Sequence, residues 1–182
     1  MAQRATHKVN AYGITGKMHS IIRSFLSGRS MKVVIDGQSS DIHLLNAGVP
    51  QGSVLGPTLF LLFINDLPDH ILASFVDIFA DDTTVYGSTS KMKDHLKLDT
   101  DLSNDLSEVV EWGRKWLVSF NASKTKLISF HHHRENPHFP AVTMDRVPLE
   151  EQKNLDRLLG LEFRPISNGE ITSYLFRSTP PE

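Results

Sequence analysis

The amino-acid sequence predicts a mixed α+β fold in which antiparallel strands are backed by helices. Two segments carry apolar residues at helical spacing, and two others carry short β-branched runs joined by tight-turn residues. The 182 residues, with 40% hydrophobic content, suffice for one core, and neither a linker nor a repeat divides them. We therefore expect one compact domain.

The first predicted helix follows a polar stretch. Residues 1–10 are polar and contain no apolar run, so they are expected to form a tail. From Ile14 to Leu26 apolar residues recur every three or four positions. Thr15 is placed to cap this segment and Gly28 to end it, which predicts an amphipathic helix.

A β-hairpin is predicted next. Residues 31–35 are mostly β-branched, Asp36 and Gly37 follow, and a second extended stretch covers residues 42–45. Asp-Gly between such runs favours a turn with positive φ at both central positions. Asp36 is therefore interpreted as a turn residue.

A glycine-containing loop at residues 48–56 precedes a predicted buried helix. Pro57 opens the apolar segment at 58–67, where a missing N–H is tolerated in the first helical turn. The longest apolar run, residues 59–64, is too short to cross a bilayer. We expect no membrane association.

A second hairpin is predicted to hold two adjacent carboxylates. Residues 75–80 and 83–86 are apolar and β-branched, with only Asp81 and Asp82 between them. Carboxylates on an apolar hairpin are costly unless a cation compensates their charge, and Mg²⁺ prefers oxygen ligands. The alternative is a solvated turn, because aspartate favours turns.

Weaker patterns cover the rest of the chain. A long helix with an acidic outer face is predicted from about Ser90 to Leu117, with Asn121 as its left-handed stop. The histidines at 131–133 and His138 could bind a metal, but the pattern is more typical of a polar loop. Strands are predicted at residues 125–130, 141–147 and 158–163, and disorder at 178–182.

Composition limits the kinds of site. The sequence has no cysteine, which excludes disulfides, thiol catalysis and cysteine-ligated zinc. Its net charge is −2, yet its first 35 residues contain six lysines and arginines and no acid. Residues 66–111 contain eleven acids and three lysines. This distribution predicts a phosphate-facing part and a metal-facing or solvated part.

The loop at residues 47–57 reads AGVPQGSVLGP. Glycine lets the backbone approach a flat or phosphorylated ligand, and the helix that follows offers free N–H groups. Taken alone, the loop also fits an ordinary strand-to-helix turn.

In their order and spacing, these motifs resemble the reverse transcriptases of non-LTR (LINE-type) retrotransposons. The matching segments are AGVPQGSVLGP at 47–57, FLLFINDLP at 60–68 and FADDT at 79–83. YGI at 12–14, FLSGR at 25–29, Trp116, FN at 120–121, KT at 124–125 and LLGL at 158–161 extend the resemblance. It covers residues 11–165, and the divergent residues 166–182 are expected to be a disordered tail.

The resemblance implies a polymerase palm, an antiparallel sheet backed by helices, with incomplete fingers and thumb. It implies two-metal nucleotidyl transfer with an RNA template, a DNA primer and dNTPs. Asp81 and Asp82 would bind Mg²⁺ or Mn²⁺, and Lys124 would donate a proton to pyrophosphate unless it is simply an exposed loop lysine. Nucleotide and template contacts fall on Pro50, Gln51, Gly52 and Ser53, and the primer grip on Leu159 and Gly160.

The family's other catalytic aspartate is expected upstream of residues 12–14, in a stretch resembling FDxxxAFD. Asp36 is the first acid in this sequence, and its turn already explains it. We therefore expect the chain to be catalytically incomplete and inactive alone. The alternatives are a non-catalytic nucleic-acid-binding or protein-binding remnant of a retrotransposon, which uses the basic first 35 residues, and a product that folds poorly.

Overall fold

The computed structural model describes residues 2–89, 94–129 and 141–151. The chain divides into two compact units, Met1–Asp66 and Leu67–Glu182, where the sequence predicted one. The antiparallel sheets of the described residues are all two-stranded hairpins or ribbons. Each of these sheets lies within one unit.

The first unit combines three helices with four short strands. Its elements are α1 (Ala2–Ala11), α2 (Gly16–Leu26), β1 (Arg29–Met31), β2 (Val34–Ile35), β3 (Gln38–Ser39), β4 (His43–Leu45) and α3 (Leu55–Ile64). Strand β1 pairs with β4, and β2 with β3, both antiparallel. Asp36 and Gly37 connect β2 to β3 with φ of 49° and 78°, which confirms the predicted turn.

Helix α1 occupies the stretch for which the sequence predicted a polar tail. Its Val9 is only 2% exposed and lies in the core with Ile22, Leu26 and Leu59. Lys8 is 4% exposed, forms an ion pair with Asp66 and donates a hydrogen bond of 2.5 Å to the Phe63 carbonyl. The inward face of α1 thus includes an ion-paired lysine, so hydropathy alone does not reveal the helix.

The second unit is built around one long helix. Its elements are a 3₁₀ turn (Pro68–His70), β5 (Phe75–Phe79), β6 (Asp82–Tyr86), α4 (His95–Trp116), β7 (Thr143–Met144) and β8 (Val147–Pro148). Helix α4 packs against the 3₁₀ turn, β6 and β7. Its inward side chains Leu102, Leu106, Val109 and Trp112 are at most 2% exposed.

Helix α4 ends at Trp116, one residue before the predicted end, but its left-handed cap is not the predicted one. Leu117 has φ of 61° and its N–H donates to the Gly113 carbonyl, so Leu117 and not Asn121 is the left-handed cap. A Cβ at Gly113 would lie 2.5 Å from the Val118 carbonyl oxygen. The chain therefore folds back directly over Gly113, and this close approach fixes where the helix ends.

The strands predicted after α4 are shorter than expected. In place of a strand at 125–130, the described residues contain an isolated parallel bridge between Leu127 and Glu151. In place of one strand at 141–147, β7 and β8 form an antiparallel hairpin. The predictions for residues 131–138, 158–163 and 166–182 lie outside the described residues. None of the described helices has the length and apolar character needed to span a membrane.

The β7–β8 turn gives a stability prediction. Asp145 and Arg146 have φ of 50° and 65°, the same turn geometry as Asp36 and Gly37. Because a side chain with a Cβ is disfavoured in this region, we expect Arg146→Gly to raise the free energy of unfolding by about 0.5–1 kcal/mol. Urea denaturation measures the change. Gly37→Arg is the reciprocal control and should lower stability, whereas an unchanged or lower midpoint for Arg146→Gly would refute this reading of the turn.

Candidate active site

The two adjacent carboxylates lie at the tip of the β5–β6 hairpin, as the sequence predicts. Phe79 pairs with Asp82, which leaves Ala80 and Asp81 as the two-residue turn. Ala80 has φ of 53°, an uncommon value for a residue other than glycine. Asp81 is exposed, whereas Asp82 opens β6 and is 9% exposed. The hairpin thus presents one carboxylate to solvent and holds the other against the protein.

The two strands of this hairpin differ in burial. Residues 82–85 of β6 are all buried, with Thr83 at 0% and Val85 at 1% exposure. In β5, Phe75 and Phe79 are 63% and 72% exposed. Strand β6 is therefore the inner strand, and its packing is what fixes Asp82.

A third carboxylate on the hairpin, Asp77, contacts a tyrosine. Burial raises the pKa of Tyr86, and Asp77 raises it further by its charge and by the hydrogen bond that it accepts from the phenol. The Tyr86 ring also stacks on Phe75, with 5.5 Å between the centroids. Within residues 2–89, 94–129 and 141–151, no group of three or more His, Cys, Asp or Glu side chains is placed to hold a metal ion.

Asp105 of α4 anchors the chain just before β5. Its Oδ1 accepts a hydrogen bond from the Leu72 N–H at 3.0 Å, and its Oδ2 accepts from Ala73 at 3.2 Å and Ser74 at 2.7 Å. The residue is 3% exposed. Sequence reasoning overlooked Asp105, although an acid on the apolar face of a predicted helix, between Leu102 and Val109, is a usable signal for such a contact.

The glycine loop lies in the first unit. Gly48 and Gly52 have φ of 70° and 77°, so both positions require a conformation that glycine tolerates best. Gln51 and Gly52 are exposed at the middle of the loop, and Pro50 is half-buried. The Ser53 hydroxyl donates to the Pro50 carbonyl at 2.6 Å and accepts from the Gly56 N–H at 3.1 Å. Ser53, one of the four residues predicted to contact nucleotide and template, therefore uses its hydroxyl within the loop.

The other predicted site residues are placed as follows. Lys124 is exposed in a turn where its N–H donates to the Asn121 carbonyl at 3.1 Å. Leu159 and Gly160 lie outside the described residues. A cavity of about 510 Å³ is lined by the end of α4, residues 117–120 and 122, and the β7–β8 hairpin, and none of the predicted site residues lines it.

Comparison with known proteins decides the family. The sequence model described as "Reverse transcriptase (RNA-dependent DNA polymerase)" matches residues 2–163. The chain belongs to the reverse transcriptase family. This match begins within α1, so the helix that replaced the expected tail is part of the reverse transcriptase domain.

Curated relatives place this reverse transcriptase domain among non-LTR elements. It is 37% identical over 121 residues to "RNA-directed DNA polymerase from mobile element jockey" of Drosophila melanogaster, an alignment that covers 63% of the chain and 13% of the relative. It is 34% identical over 145 residues to "Probable RNA-directed DNA polymerase from transposon X-element" of the same species, covering 78% and 15%. The jockey polymerase of Drosophila funebris is 33% identical over 124 residues, covering 64% and 13%.

The predicted resemblance to LINE-type reverse transcriptases is thereby confirmed, and the chain is a partial domain of that kind. It spans only about 13–15% of the length of these three relatives. No solved structure matches it. Its helices and small antiparallel sheets agree with the α+β part of the fold prediction.

Proposed function

We propose that this chain is the palm, with incomplete fingers and thumb, of an RNA-directed DNA polymerase, and that these 182 residues are inactive alone. The complete polymerase would extend a DNA primer with dNTPs along an RNA template. The observation that carries the proposal is the pair Asp81 and Asp82 at the tip of a hairpin whose inner strand is buried. Two adjacent carboxylates held this way give a fixed group of hard oxygen donors. The relatives from the mobile element jockey and the transposon X-element are described as RNA-directed DNA polymerases, which supports the same activity.

The donor chemistry of this hairpin fits a divalent cation. Carboxylate oxygens are the ligands that Mg²⁺ and Mn²⁺ prefer, and Asp81 is exposed and accessible from solvent. Asp81 would bind the cation from the tip, and Asp82 would act as the partner carboxylate fixed by β6. When bound, the metal ions of a two-metal site stabilise charge on the attacking and leaving oxygens of an in-line displacement.

The remaining roles follow the family resemblance. Gln51 and Gly52 are exposed in the glycine loop and would contact nucleotide and template. Lys124 carries an exposed ammonium group that would donate a proton to the leaving pyrophosphate. Leu159 and Gly160 would grip the primer. Because Ser53 uses both its hydroxyl and its N–H to fix the loop, it would contribute to binding by holding Gln51 and Gly52 in place.

Cation binding by the 182-residue chain tests the proposal without requiring synthesis. We expect Mn²⁺ to bind weakly, with a dissociation constant on the order of 10⁻⁴–10⁻³ M, because a pair of carboxylates is a sparse ligand set. Water proton relaxation measures the affinity. Asp81→Asn should weaken it about fivefold or more, since one charged ligand is lost.

The control for this titration is Asp69→Asn, which removes an exposed acid of the same unit away from the hairpin tip. It should leave Mn²⁺ affinity unchanged. If the parent chain and Asp81→Asn bind Mn²⁺ equally well, the hairpin is not the metal site and the proposed function loses its main support.

A further inference from the structure

Arg29 joins the end of α2 to the beginning of the glycine loop. Its Nε donates to the Leu26 carbonyl at 3.1 Å. Its Nη2 donates to the Ala47 carbonyl at 2.9 Å and to the Gly48 carbonyl at 2.5 Å. All three acceptors are backbone oxygens, so the guanidinium bridges two segments that are about twenty residues apart in sequence.

The geometry of these contacts suits arginine in particular. Leu26 is the last residue of α2, where carbonyls lack intrahelical partners and a nearby cation is favourable. A guanidinium has five N–H donors in a rigid planar fork, which can reach acceptors on two sides at once. A lysine ammonium is a compact charge on a flexible stem, and it would not hold all three carbonyls in one arrangement.

The glycine loop is also fixed at its other end. The Ser53 hydroxyl bridges the Pro50 carbonyl and the Gly56 N–H, and a Cβ on Gly56 would lie 2.9 Å from that hydroxyl. Between these two fixed points, Gln51 and Gly52 are exposed. The loop is therefore held at both ends and presents its middle to solvent.

We propose that Arg29 is a positioning residue of the glycine loop, which sets where Gln51 and Gly52 meet nucleotide and template, and that it is not a phosphate contact. This inference rests on the proposed function, because the ligands of the loop are those proposed above. The sequence predicts a phosphate-facing part that includes all the basic residues of the first 35 positions. Under this proposal Arg29 has a different role from the exposed Lys17, Arg23 and Lys32.

Hydrogen exchange measured by mass spectrometry tests the positioning role directly. In both Arg29→Ala and Arg29→Lys, we expect the hydrogen-bonded amides of Ser53 and Gly56 to exchange about tenfold faster while those of α2 stay unchanged, because the loop loses one fixed end. Lys32→Ala, which removes an exposed cation three residues away, should leave loop exchange unchanged. Thermal melts followed by circular dichroism establish that each variant is folded.

Binding to an RNA–DNA duplex at several salt concentrations supplies the functional readout. For both Arg29 variants we expect affinity to fall several-fold with the salt slope of the parent chain, because the number of phosphate contacts is unchanged. Arg29→Lys that restores affinity, or Arg29→Ala with a slope smaller by about 0.9, would mean a direct phosphate contact and would overturn the inference.

The two measurements separate this inference from the proposed function. Unchanged loop exchange in Arg29→Ala overturns the positioning role whether or not the duplex binds. Faster loop exchange with unchanged duplex affinity overturns it too, since the position of the loop would then not matter for the ligand. A parent chain that binds neither duplex nor Mn²⁺ counts against the proposed function, and faster loop exchange would then still support Arg29 as the residue that fixes the loop.

Discussion

Replacement of Asp105 by alanine is expected to lower the free energy of unfolding of the second unit by about 3 kcal/mol. The carboxylate is 3% exposed and accepts hydrogen bonds from three consecutive backbone N–H groups, those of Leu72, Ala73 and Ser74. Hydrogen bonds to a charged acceptor contribute about 1.5–3 kcal/mol each, and solvent reaching the freed amides offsets part of the loss.

The loss of stability in Asp105→Ala should be concentrated at the start of β5, because the three amides immediately precede that strand. Urea denaturation of the 182-residue chain gives the change in stability. Glu108→Ala, which removes an exposed acid one turn further along the same helix, should stay within about 0.5 kcal/mol of the parent. Asp105→Asn keeps one acceptor oxygen and should fall between the two. Equal midpoints for Asp105→Ala and Glu108→Ala would show that these hydrogen bonds do not stabilise the fold.

The elements that the sequence predicts well are those fixed by local chemistry. Asp36 and Gly37 form the expected turn because both can adopt positive φ, and helix α2 forms where the apolar spacing is helical. The β5–β6 hairpin forms because two β-branched runs are separated by too few residues for any other connection. In each case the residues that predict the element belong to the element itself or to its immediate neighbours in sequence.

The elements that the sequence did not predict depend on distant contacts. Helix α1 is stabilised by Val9 in the core and by the pairing of Lys8 with Asp66, which lies 58 residues away. The left-handed cap of α4 is Leu117 and not Asn121, because the chain folds back over Gly113. The division into two units was also not predicted, although its boundary coincides with the start of the acidic stretch at residues 66–111.

The candidate site shows the same limit. Asp81 and Asp82 were recognisable because the motif around them is local. The partners of Ser53 and Arg29 were not, because backbone carbonyls carry no sequence signal, and a basic residue in a nucleic-acid-binding family is naturally assigned to phosphate. In the folded protein Arg29 donates to the backbone carbonyls of Ala47 and Gly48.

The largest expected effect concerns DNA synthesis. We expect the 182-residue chain alone not to extend a primer on poly(rA) with either Mg²⁺ or Mn²⁺. The resemblance implies a third catalytic aspartate, and neither alternative acid is suited to replace it. Asp36 is the first acid of the sequence and lies in a hairpin turn, and Asp77 accepts a hydrogen bond from Tyr86.

Synthesis should appear when the chain is joined to the family's upstream aspartate strand and fingers, because the added carboxylate completes the ligand set. Asp81→Ala in that longer polypeptide should then reduce incorporation by about 10³-fold or more, which corresponds to about 4 kcal/mol of transition-state stabilisation. Asp69→Ala is the matched control and should retain synthesis, because Asp69 is exposed on the 3₁₀ turn away from the hairpin tip. Robust extension by the 182-residue chain itself, abolished by Asp81→Ala, would show that another acid completes the site. Alanine substitutions at Asp36, at Asp41 (the other acid before residue 66) and at Asp77 would then identify it.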